Sequence, residues 1–165
     1  VNAREALVAK VRGYNEELYL DALTGAYNRR YYEDRIRKVK SHAGVAMIDL
    51  DDFKLYNDTC GHNAGDMVLN TVVGIVRKCI RKTDILIRYG GDEFLLILDD
   101  PAPGEINRII QQVKTELSSG TGTTGLRILA AVGSAEGCGA DIRSLVKKAD
   151  AAMYSDKAKS KEGRS

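Results

Sequence analysis

The sequence Arg88-Tyr89-Gly90-Gly91-Asp92-Glu93-Phe94 places two glycines and two acids between apolar runs. The flanking runs, residues 84–87 and 94–98, each predict a short buried strand. The glycines predict the tight turn of a hairpin, because glycine adopts a positive φ at no steric cost, and they let a bulky ligand approach the backbone. The two carboxylates at the tip are then able to reach a metal or a ligand. Taken alone, the stretch is equally well explained as an ordinary hairpin with a polar tip.

Length and composition indicate one domain with a substantial core at 165 residues. The 25 basic and 23 acidic residues leave a net charge of +2, which gives no reason to expect nucleic-acid binding or membrane contact. Three widely spaced cysteines without a Cys-x-x-Cys pair indicate free thiols in a reducing compartment. No apolar run approaches the roughly 20 residues of a membrane span, and no signal peptide is visible. We therefore expect a cytoplasmic domain, which a longer parent protein could still anchor to a membrane.

Apolar periodicity predicts alternating helices and strands. Residues 2–20 predict either a signalling helix from an upstream domain or a helix that packs on its own domain. A second helix, capped by Asn28, is predicted to reach about Lys40. The other predicted elements are helices over 67–80, 105–117 and 141–159, and strands over 45–49, 84–87, 94–98 and 126–132. This order predicts an α+β fold with a mostly antiparallel sheet covered by helices.

Three simpler motif assignments fail or remain weak. Residues 120–125 match G-x-G-x-x-G, but they follow a helix and lead into a strand, the reverse of a dinucleotide-binding turn. The acidic stretch after Asp49 is not an EF-hand, because Lys54 occupies the position that needs glycine. His62 alone is more often a structural histidine than a ligand.

Five motifs in the right order and with the right gaps resemble the GGDEF family of diguanylate cyclases. They are Asp21-Ala22-Leu23-Thr24-Gly25 with Asn28-Arg29-Arg30, Asp49-Leu50-Asp51-Asp52-Phe53-Lys54 with Asn57-Asp58, Gly61-His62 with Gly65-Asp66, Arg88 to Phe94, and Ala149 to Tyr154 followed by Lys157. The resemblance assigns residues 21–165 to a GGDEF domain and residues 1–20 to a linker helix that joins it to an upstream sensor. It implies a fold like the palm of nucleotide polymerases and class III cyclases, with the GGDEF turn on a β-hairpin.

The resemblance also implies a reaction, in which two GTP condense to cyclic di-GMP with release of two pyrophosphates. Each subunit of a transient homodimer would hold one GTP. The implied metal ligands are Asp49, Asp92 and the Leu50 carbonyl, and such hard oxygen donors suit Mg²⁺ or Mn²⁺. The implied catalytic residues are Asp92, Glu93 and Lys54, the last of which steadies the transition state.

Phosphate binding is implied at the start of a helix, where the backbone N–H groups around Phe53 would cradle the β- and γ-phosphates. The resemblance also implies that Gly90 and Gly91 bind the substrate, and Lys157 adds positive charge. The family often has an arginine a few residues after the Lys157 position as a second phosphate contact; here Arg164 falls later than usual and Lys161 lies nearer the expected place, so the sequence does not assign this contact.

Guanine selection follows from hydrogen-bond chemistry once the resemblance gives the residues. Guanine offers N1–H and N2–H₂ donors together, and a carboxylate accepts both, whereas adenine offers no such pair. Asp66 and Asn57 match the family's guanine readers. The implied apolar walls of the base pocket are Leu23, Phe53 and Leu69.

A further motif, Arg81-x-x-Asp84, lies five residues before Gly90 and resembles the family's inhibitory site for cyclic di-GMP. A surface ion pair is the simpler alternative for these two residues, but their spacing relative to Gly90 favours the inhibitory site. The chain departs from the family at Ala131-Val132-Gly133, where Ser-x-Gly is usual, and we expect only packing consequences.

The intact GGDEF motif favours an active enzyme over two alternatives. One is a catalytically silent GGDEF-like domain that binds GTP or cyclic di-GMP as a signalling module. The other is a structural dimerisation module built on the N-terminal helix.

Overall fold

The computed structural model of the protein describes residues 2–36, 42–120 and 126–162. The helices are α1 (Ala3–Tyr19), α2 (Arg29–Arg35), α3 (Phe53–Cys60), α4 (His62–Cys79), α5 (Glu105–Ser119) and α6 (Ile142–Glu162). The strands are β1 (Tyr27–Asn28), β2 (His42–Leu50), β3 (Ile85–Arg88), β4 (Glu93–Asp99) and β5 (Ala130–Cys138).

The five strands form one sheet in the order β1-β3-β4-β2-β5. Every pairing is antiparallel except that of β1 with β3. The α+β fold with a mostly antiparallel sheet is therefore confirmed, and the GGDEF sequence lies on the hairpin between β3 and β4 as predicted.

Helices cover both faces of the sheet, and β2 shows which residues face which layer. Ala46 and Ile48 belong to the apolar cluster shared with α4 and α5. Val45 and Met47 belong to the cluster shared with α2 and α6. Because side chains alternate along a strand, Asp49 lies on the same face of the sheet as Val45 and Met47, which is the face covered by α6. The face that Asp49 occupies decides which helix can supply a partner for its carboxylate.

The predicted bounds of three elements are wrong. The last strand runs over Ala130–Cys138, whereas the prediction was 126–132. Ile128 is buried, but its N–H donates to the Leu117 carbonyl at the end of α5 rather than to a strand. The polar second half of β5 escaped prediction because this edge strand is only partly covered.

Helix bounds differ for local reasons. α4 begins at His62, five residues before the prediction, and its first turn is polar. α2 ends at Arg35, where Ile36 leaves helical geometry with ψ 85°, and not near Lys40, which lies outside the described residues. The Asn28 cap is confirmed, since its side chain accepts from the Tyr31 N–H at 3.0 Å. The two-residue strand β1 was not predicted.

The first half of α1 is exposed to solvent. Residues 2–12 are all exposed, and the apolar Leu7, Val8 and Val11 are among them. Near the end of the helix, Leu18 is half-buried and its carbonyl accepts from the Asn28 side-chain amide at 2.8 Å. The described part of α1 is thus anchored to the domain at its C-terminal end.

Gly133 permits the closest approach between β5 and α6. A Cβ at this position would overlap the Ala149 carbonyl oxygen and the Met153 nitrogen, both of them backbone atoms of α6. The glycine therefore sets how deeply α6 lies on the sheet, and α6 carries Lys157 towards Asp49. The Ala131 departure has a packing context too, because Ala131 is buried in the same cluster as Ala149 and Met153.

Candidate active site

One end of the sheet collects acidic and basic side chains from three elements. Asp49 in β2 and Glu93 in β4 are direct cross-strand partners. Asp92 lies in the hairpin loop, and its carbonyl accepts from the Leu50 N–H at 3.1 Å. Lys157 of α6 completes the group, because its Nζ donates to Asp49 Oδ2 at 2.8 Å across 108 residues of sequence. The four side chains predicted as metal-binding, catalytic or phosphate-binding here are therefore neighbours.

Carboxylates outnumber the ammonium in this cluster. Burial raises the pKa of Asp92, and the nearby Asp49 carboxylate adds to the shift. Burial also raises the pKa of Glu93, followed by the charges of Asp49 and Asp92. The hydrogen bond to Asp49 raises the pKa of Lys157. The cluster therefore has an unbalanced negative charge that a cation would relieve.

Asp49 carries the sharpest sign of a missing partner. The residue is only 7% exposed. Its Oδ2 is bonded to Lys157, whereas its Oδ1 is buried and has no hydrogen-bond partner among the described residues. Leaving a charged acceptor buried and unsatisfied costs free energy. A cation at Oδ1 would remove that cost, so these residues fit a divalent ion with hard oxygen ligands.

The ligand set predicted for that ion is small. It comprises the Asp49 and Asp92 carboxylates and the Leu50 carbonyl. Within the described ranges, no group of three His, Cys, Asp or Glu side chains is arranged to hold a metal ion. Mg²⁺ usually keeps several waters and binds substrate phosphates beside one or two carboxylates, which suits such a set.

The hairpin loop closes without left-handed glycines. The N–H groups of Tyr89 and Gly90 both donate to the Glu93 carbonyl, at 2.8 and 3.2 Å. Neither Gly90 nor Gly91 has a positive φ, so the conformational reason given for the glycines is wrong. A Cβ at Gly91 would meet no atom within 4 Å. This side of the loop is therefore open to a ligand.

Arg88 and Asp21 brace the loop, an interaction that the sequence analysis missed. The Arg88 guanidinium donates to the Gly91 carbonyl at 2.8 Å and to both Asp21 carboxylate oxygens at 3.2 Å. Asp21 also accepts from the Thr24 N–H and hydroxyl, at 3.0 and 2.7 Å. The turn that follows α1 is thereby joined to the GGDEF loop. The sequence signal that could have predicted this ion pair was the opposite charge of Asp21 and Arg88, which lie in two of the motifs described above.

The predicted phosphate cradle lies where β2 gives way to α3. Asp52 precedes this helix in the left-handed region, at φ 53°, and its side chain does not cap the helix. N–H groups in the first turn of a helix lack intrahelical partners, and the helix dipole favours anions there. Lys54 is exposed in this turn. In the described part of the chain, no hydrogen bond or ion pair joins Lys54 to Asp49 or Asp92.

The residues predicted to form the base pocket lie around the connection from α3 to α4. Asn57 Oδ1 and the Phe53 ring both lie against Gly65, which is buried, and Asp66 follows it in α4. The apolar residues predicted to line the pocket pack together, since Leu23 and Phe53 are half-buried against the cluster that contains the buried Leu69. Asn57 Nδ2 also lies 3.0 Å from His62 Nδ1, a contact that sequence analysis did not foresee.

The predicted inhibitory pair is engaged with itself. Asp84 has a fully buried side chain, and it accepts from the Arg81 backbone N–H at 2.8 Å and from the Arg81 guanidinium at 3.1 Å. Arg81 also donates to the Asp99 carbonyl at 2.9 Å. A surface cavity of about 390 Å³ adjoins the pair, and its lining includes Tyr27 and Arg77. The geometry agrees with the simpler ion-pair explanation and leaves part of Arg81 exposed to a ligand.

The two residues considered for a second phosphate contact lie beyond what the structure describes. Arg164 is outside the described residues, as is the side chain of Lys161. None of the described helices is both long and apolar enough to cross a membrane.

Comparison with known proteins identifies the family. Residues 18–163 match the model of the family described as diguanylate cyclase, GGDEF domain. The chain belongs to the GGDEF domain family. Members of this family generally depend on divalent metal ions, and the family match associates the domain, at family level, with the synthesis of cyclic di-GMP.

Individual relatives carry two kinds of name. The chain is 33% identical over 151 residues to the diguanylate cyclase DosC of Escherichia coli, with 84% of this chain and 33% of DosC covered. It is 34% identical over 149 residues to the cyclic di-GMP phosphodiesterase PdeB of Shewanella oneidensis, with 84% of this chain and 17% of PdeB covered. The chain thus spans a third or less of these curated relatives.

A solved structure shares the fold over nearly the whole chain. It is the coiled coil and GGDEF domain of DgcB from Caulobacter crescentus, in complex with cyclic di-GMP. The TM-score is 0.83 at 26% identity, and the match covers 93% of this chain and 88% of that one.

Proposed function

We propose that this domain is a diguanylate cyclase, which condenses two GTP into cyclic di-GMP and releases two pyrophosphates. The observation that carries the proposal is the group of Asp49, Asp92 and Lys157, in which one buried carboxylate oxygen of Asp49 has no partner among the described residues. An acidic pair with an unsatisfied oxygen is suited to a divalent ion with a bound triphosphate.

Different residues of the chain would bind the base and the phosphates of GTP. Asp66 and Asn57 accept the guanine N–H donors, with Phe53 against the base. The N–H groups at the start of α3 receive the terminal phosphates, and Lys54 and Lys157 add positive charge. Gly91 leaves room beside the loop for the nucleotide. Leu23 and Leu69 complete the apolar side of the pocket.

The reaction joins a 3′-hydroxyl to an α-phosphate and expels pyrophosphate. Mg²⁺ or Mn²⁺, held by Asp49, Asp92 and the Leu50 carbonyl, would neutralise charge on the triphosphate. Glu93 is suited to accept the hydroxyl proton, because its raised pKa brings a carboxylate closer to the operating pH. Lys54 stabilises charge that develops as the pyrophosphate leaves.

Two domains are needed for one product. The site has one set of metal acids and one pair of guanine readers, so each domain holds one GTP. Cyclic di-GMP has two equivalent halves, and a two-fold arrangement of domains supplies both bonds with the same residues. In the full-length protein, an upstream sensor would control this encounter through α1, whose exposed Leu7, Val8 and Val11 offer an apolar face for a second helix.

Product inhibition is proposed at Arg81 and Asp84. Arg81 keeps an exposed side for phosphate or guanine oxygens, since its side chain is 47% exposed, while Asp84 holds its guanidinium in place. Calorimetric titration of cyclic di-GMP tests the site. Arg81→Ala is expected to raise the inhibitory concentration and leave the initial rate nearly unchanged, whereas equal inhibition of variant and wild type would exclude this site.

A silent signalling module is the second candidate, because one relative that covers most of the chain is named a phosphodiesterase. Such a domain would bind GTP or cyclic di-GMP without turnover. Incubation with GTP and Mg²⁺, followed by chromatography of the nucleotides, separates the two functions. Cyclic di-GMP that forms with a specific activity rising with enzyme concentration supports the cyclase. GTP binding without product supports the module.

A further inference from the structure

Asn57 and His62 are side-chain partners across the turn between α3 and α4. α3 ends at Cys60, and Gly61 turns the chain at φ 92°, a conformation that favours glycine. The Gly61 N–H donates to the Asn57 carbonyl at 2.9 Å. The turn brings the ring of His62, the first residue of α4, to the Asn57 amide, with 3.0 Å between Nδ2 and Nδ1.

The chemistry of this contact couples the orientation of the Asn57 amide to the tautomer of the His62 imidazole. An amide nitrogen carries two hydrogens and can only donate, so a hydrogen bond from Asn57 Nδ2 requires a lone pair on His62 Nδ1, which the tautomer with its proton on Nε2 supplies. An imidazole with a proton on Nδ1 would instead favour the amide turned by 180°, with its oxygen towards the ring.

The opposite end of the amide lies against α4. Asn57 Oδ1 occupies the space that a Cβ of residue 65 would need, so it lies against Gly65, the residue before Asp66 in this helix. With the amide in this orientation, Asn57 presents an acceptor to the part of α4 that carries Asp66, the other predicted guanine reader. Guanine has three N–H hydrogens on its N1 and N2 edge, which match a pair of acceptors. A turned amide would present a donor there instead.

We propose that His62 is a positioning residue for guanine selection: its Nδ1 accepts from the Asn57 amide nitrogen and keeps the Asn57 oxygen against Gly65, as an acceptor for the base that Asn57 and Asp66 are proposed to read. The inference rests on the proposed use of GTP, and it assigns to His62 a role in the choice of base. It predicts that His62 acts on nucleotide discrimination through Asn57 and makes no direct contribution to the chemical step.

Binding of three unreactive nucleotides tests the proposal. The probes are the 3′-deoxy forms of GTP, ITP and ATP, which lack the attacking hydroxyl, and ITP also lacks the guanine N2 amino group. His62→Leu removes the acceptor, and His62→Asn restores one, because the asparagine Oδ1 occupies nearly the place of Nδ1. The matched control is His42→Leu, since His42 is the other histidine of the chain and contacts Glu136 at the far end of β2.

Loss of one neutral hydrogen bond predicts about a fivefold fall in the preference for the GTP form over the ITP form in His62→Leu. The preference over the ATP form should fall as well. We expect His62→Asn to stay within about twofold of wild type and His42→Leu to be unchanged. Thermal unfolding shows whether each variant is folded.

A second measurement does not depend on any variant at His62. Nitrogen-15 spectra of the imidazole rings, assigned with His42→Leu, report which ring nitrogen of His62 carries the proton. The proposal requires the neutral form with the proton on Nε2. A proton on Nδ1 at neutral pH overturns it, even if His62→Leu fails to fold.

The outcomes separate this inference from the function on which it rests. Unchanged base preference in folded His62→Leu, with GTP bound and turned over by wild type, overturns the role of His62 alone. Failure of wild type to bind the 3′-deoxy GTP probe overturns the proposed function and this inference with it.

Discussion

Replacing Lys157 with methionine tests how the acidic cluster is held together without a cation. Methionine keeps an apolar stem of similar length and removes the ammonium. The variant loses the 2.8 Å bond to Asp49 Oδ2 and leaves Asp49 near Asp92 without that neutralising charge. Both oxygens of the Asp49 carboxylate would then lack the partners that a buried charge requires.

The size of the effect follows from the exposure of the two partners. Breaking a fully buried ion pair costs about 3–5 kcal/mol. The Asp49 side chain is 9% exposed, but that of Lys157 is 32% exposed, so water reaches the pair. We therefore expect Lys157→Met to lower the free energy of unfolding by about 2 kcal/mol, below the range for a fully buried pair.

Lys114→Met is the matched control for Lys157→Met, because Lys114 of α5 forms a more exposed ion pair with Asp156 of α6. Lys114 Nζ lies 3.2 Å from Asp156 Oδ2, and both side chains are about one-third exposed, at 35% and 34%. Asp156 also keeps a hydrogen bond from the Val132 N–H. Exposed pairs contribute about 0–1 kcal/mol, so this variant should lose less than about 1 kcal/mol.

Urea denaturation followed by circular dichroism measures both variants, in chelator and in Mg²⁺. We expect Mg²⁺ to stabilise Lys157→Met more than wild type, because in wild type the ammonium bonded to Asp49 Oδ2 repels a cation at Oδ1 of the same carboxylate. Equal losses in Lys157→Met and Lys114→Met would refute the assignment of a buried pair. A Mg²⁺ effect no larger in Lys157→Met than in wild type would refute this repulsion between the ammonium and the cation.

Three further substitutions test separate parts of the site. Asp92→Asn should abolish cyclic di-GMP formation, which chromatography of the nucleotides measures. Burial and the Asp49 charge raise the pKa of Asp92, so its carboxyl stabilises the folded protein at low pH and this contribution is lost as the pH rises. The unfolding free energy of the variant should therefore fall less than that of wild type between about pH 4 and pH 7. Asp66→Ala should weaken discrimination against ATP in mixed-nucleotide competition, because the acceptor for two guanine donors is gone. Gly133→Ala should cost about 3 kcal/mol in urea denaturation, since its Cβ meets backbone, whereas Gly74→Ala in open space within α4 should be neutral or stabilising by up to about 1 kcal/mol.

Each of these has a contrary result. Product formation by Asp92→Asn at the wild-type rate would remove this residue from the metal set. Undiminished GTP preference in Asp66→Ala would assign the base to another reader. Equal stability of Gly133→Ala and Gly74→Ala would show that α6 can shift without loss.

Local sequence predicted the elements that carry the site better than their bounds. The apolar run of β2 ends in Asp49, and the parity of that run decides which face the carboxylate occupies. The pairing of Asp49 with Glu93 follows once β2 and β4 are antiparallel neighbours. The hairpin itself was readable, because two apolar strands flank a short polar loop. Its glycines were recognised for the wrong reason, since neither needs a positive φ.

Contacts between distant segments were not predictable from local pattern. The Asp21 to Arg88 bond depends on the pairing of β1 with β3, and β1 is two residues long. Such a strand has no periodicity of its own, so it forms only because the neighbouring edge and the preceding turn hold it. Sequence motifs marked both residues, but only the sheet register brings them together.

The position of Lys157 shows how a packing detail sets the geometry of the candidate site. A lysine near the end of a long helix is able to reach many acids, and nothing local in α6 selects Asp49. The selection comes from Gly133, because the absence of a side chain there lets the backbone of α6 settle against β5. At that depth the turn that follows Met153 brings the Lys157 ammonium within 2.8 Å of the carboxylate that β2 presents on the same face. A glycine remote from the acids therefore controls the charge balance at the site, and substitution at residue 133 should disturb the cluster without touching any of its side chains.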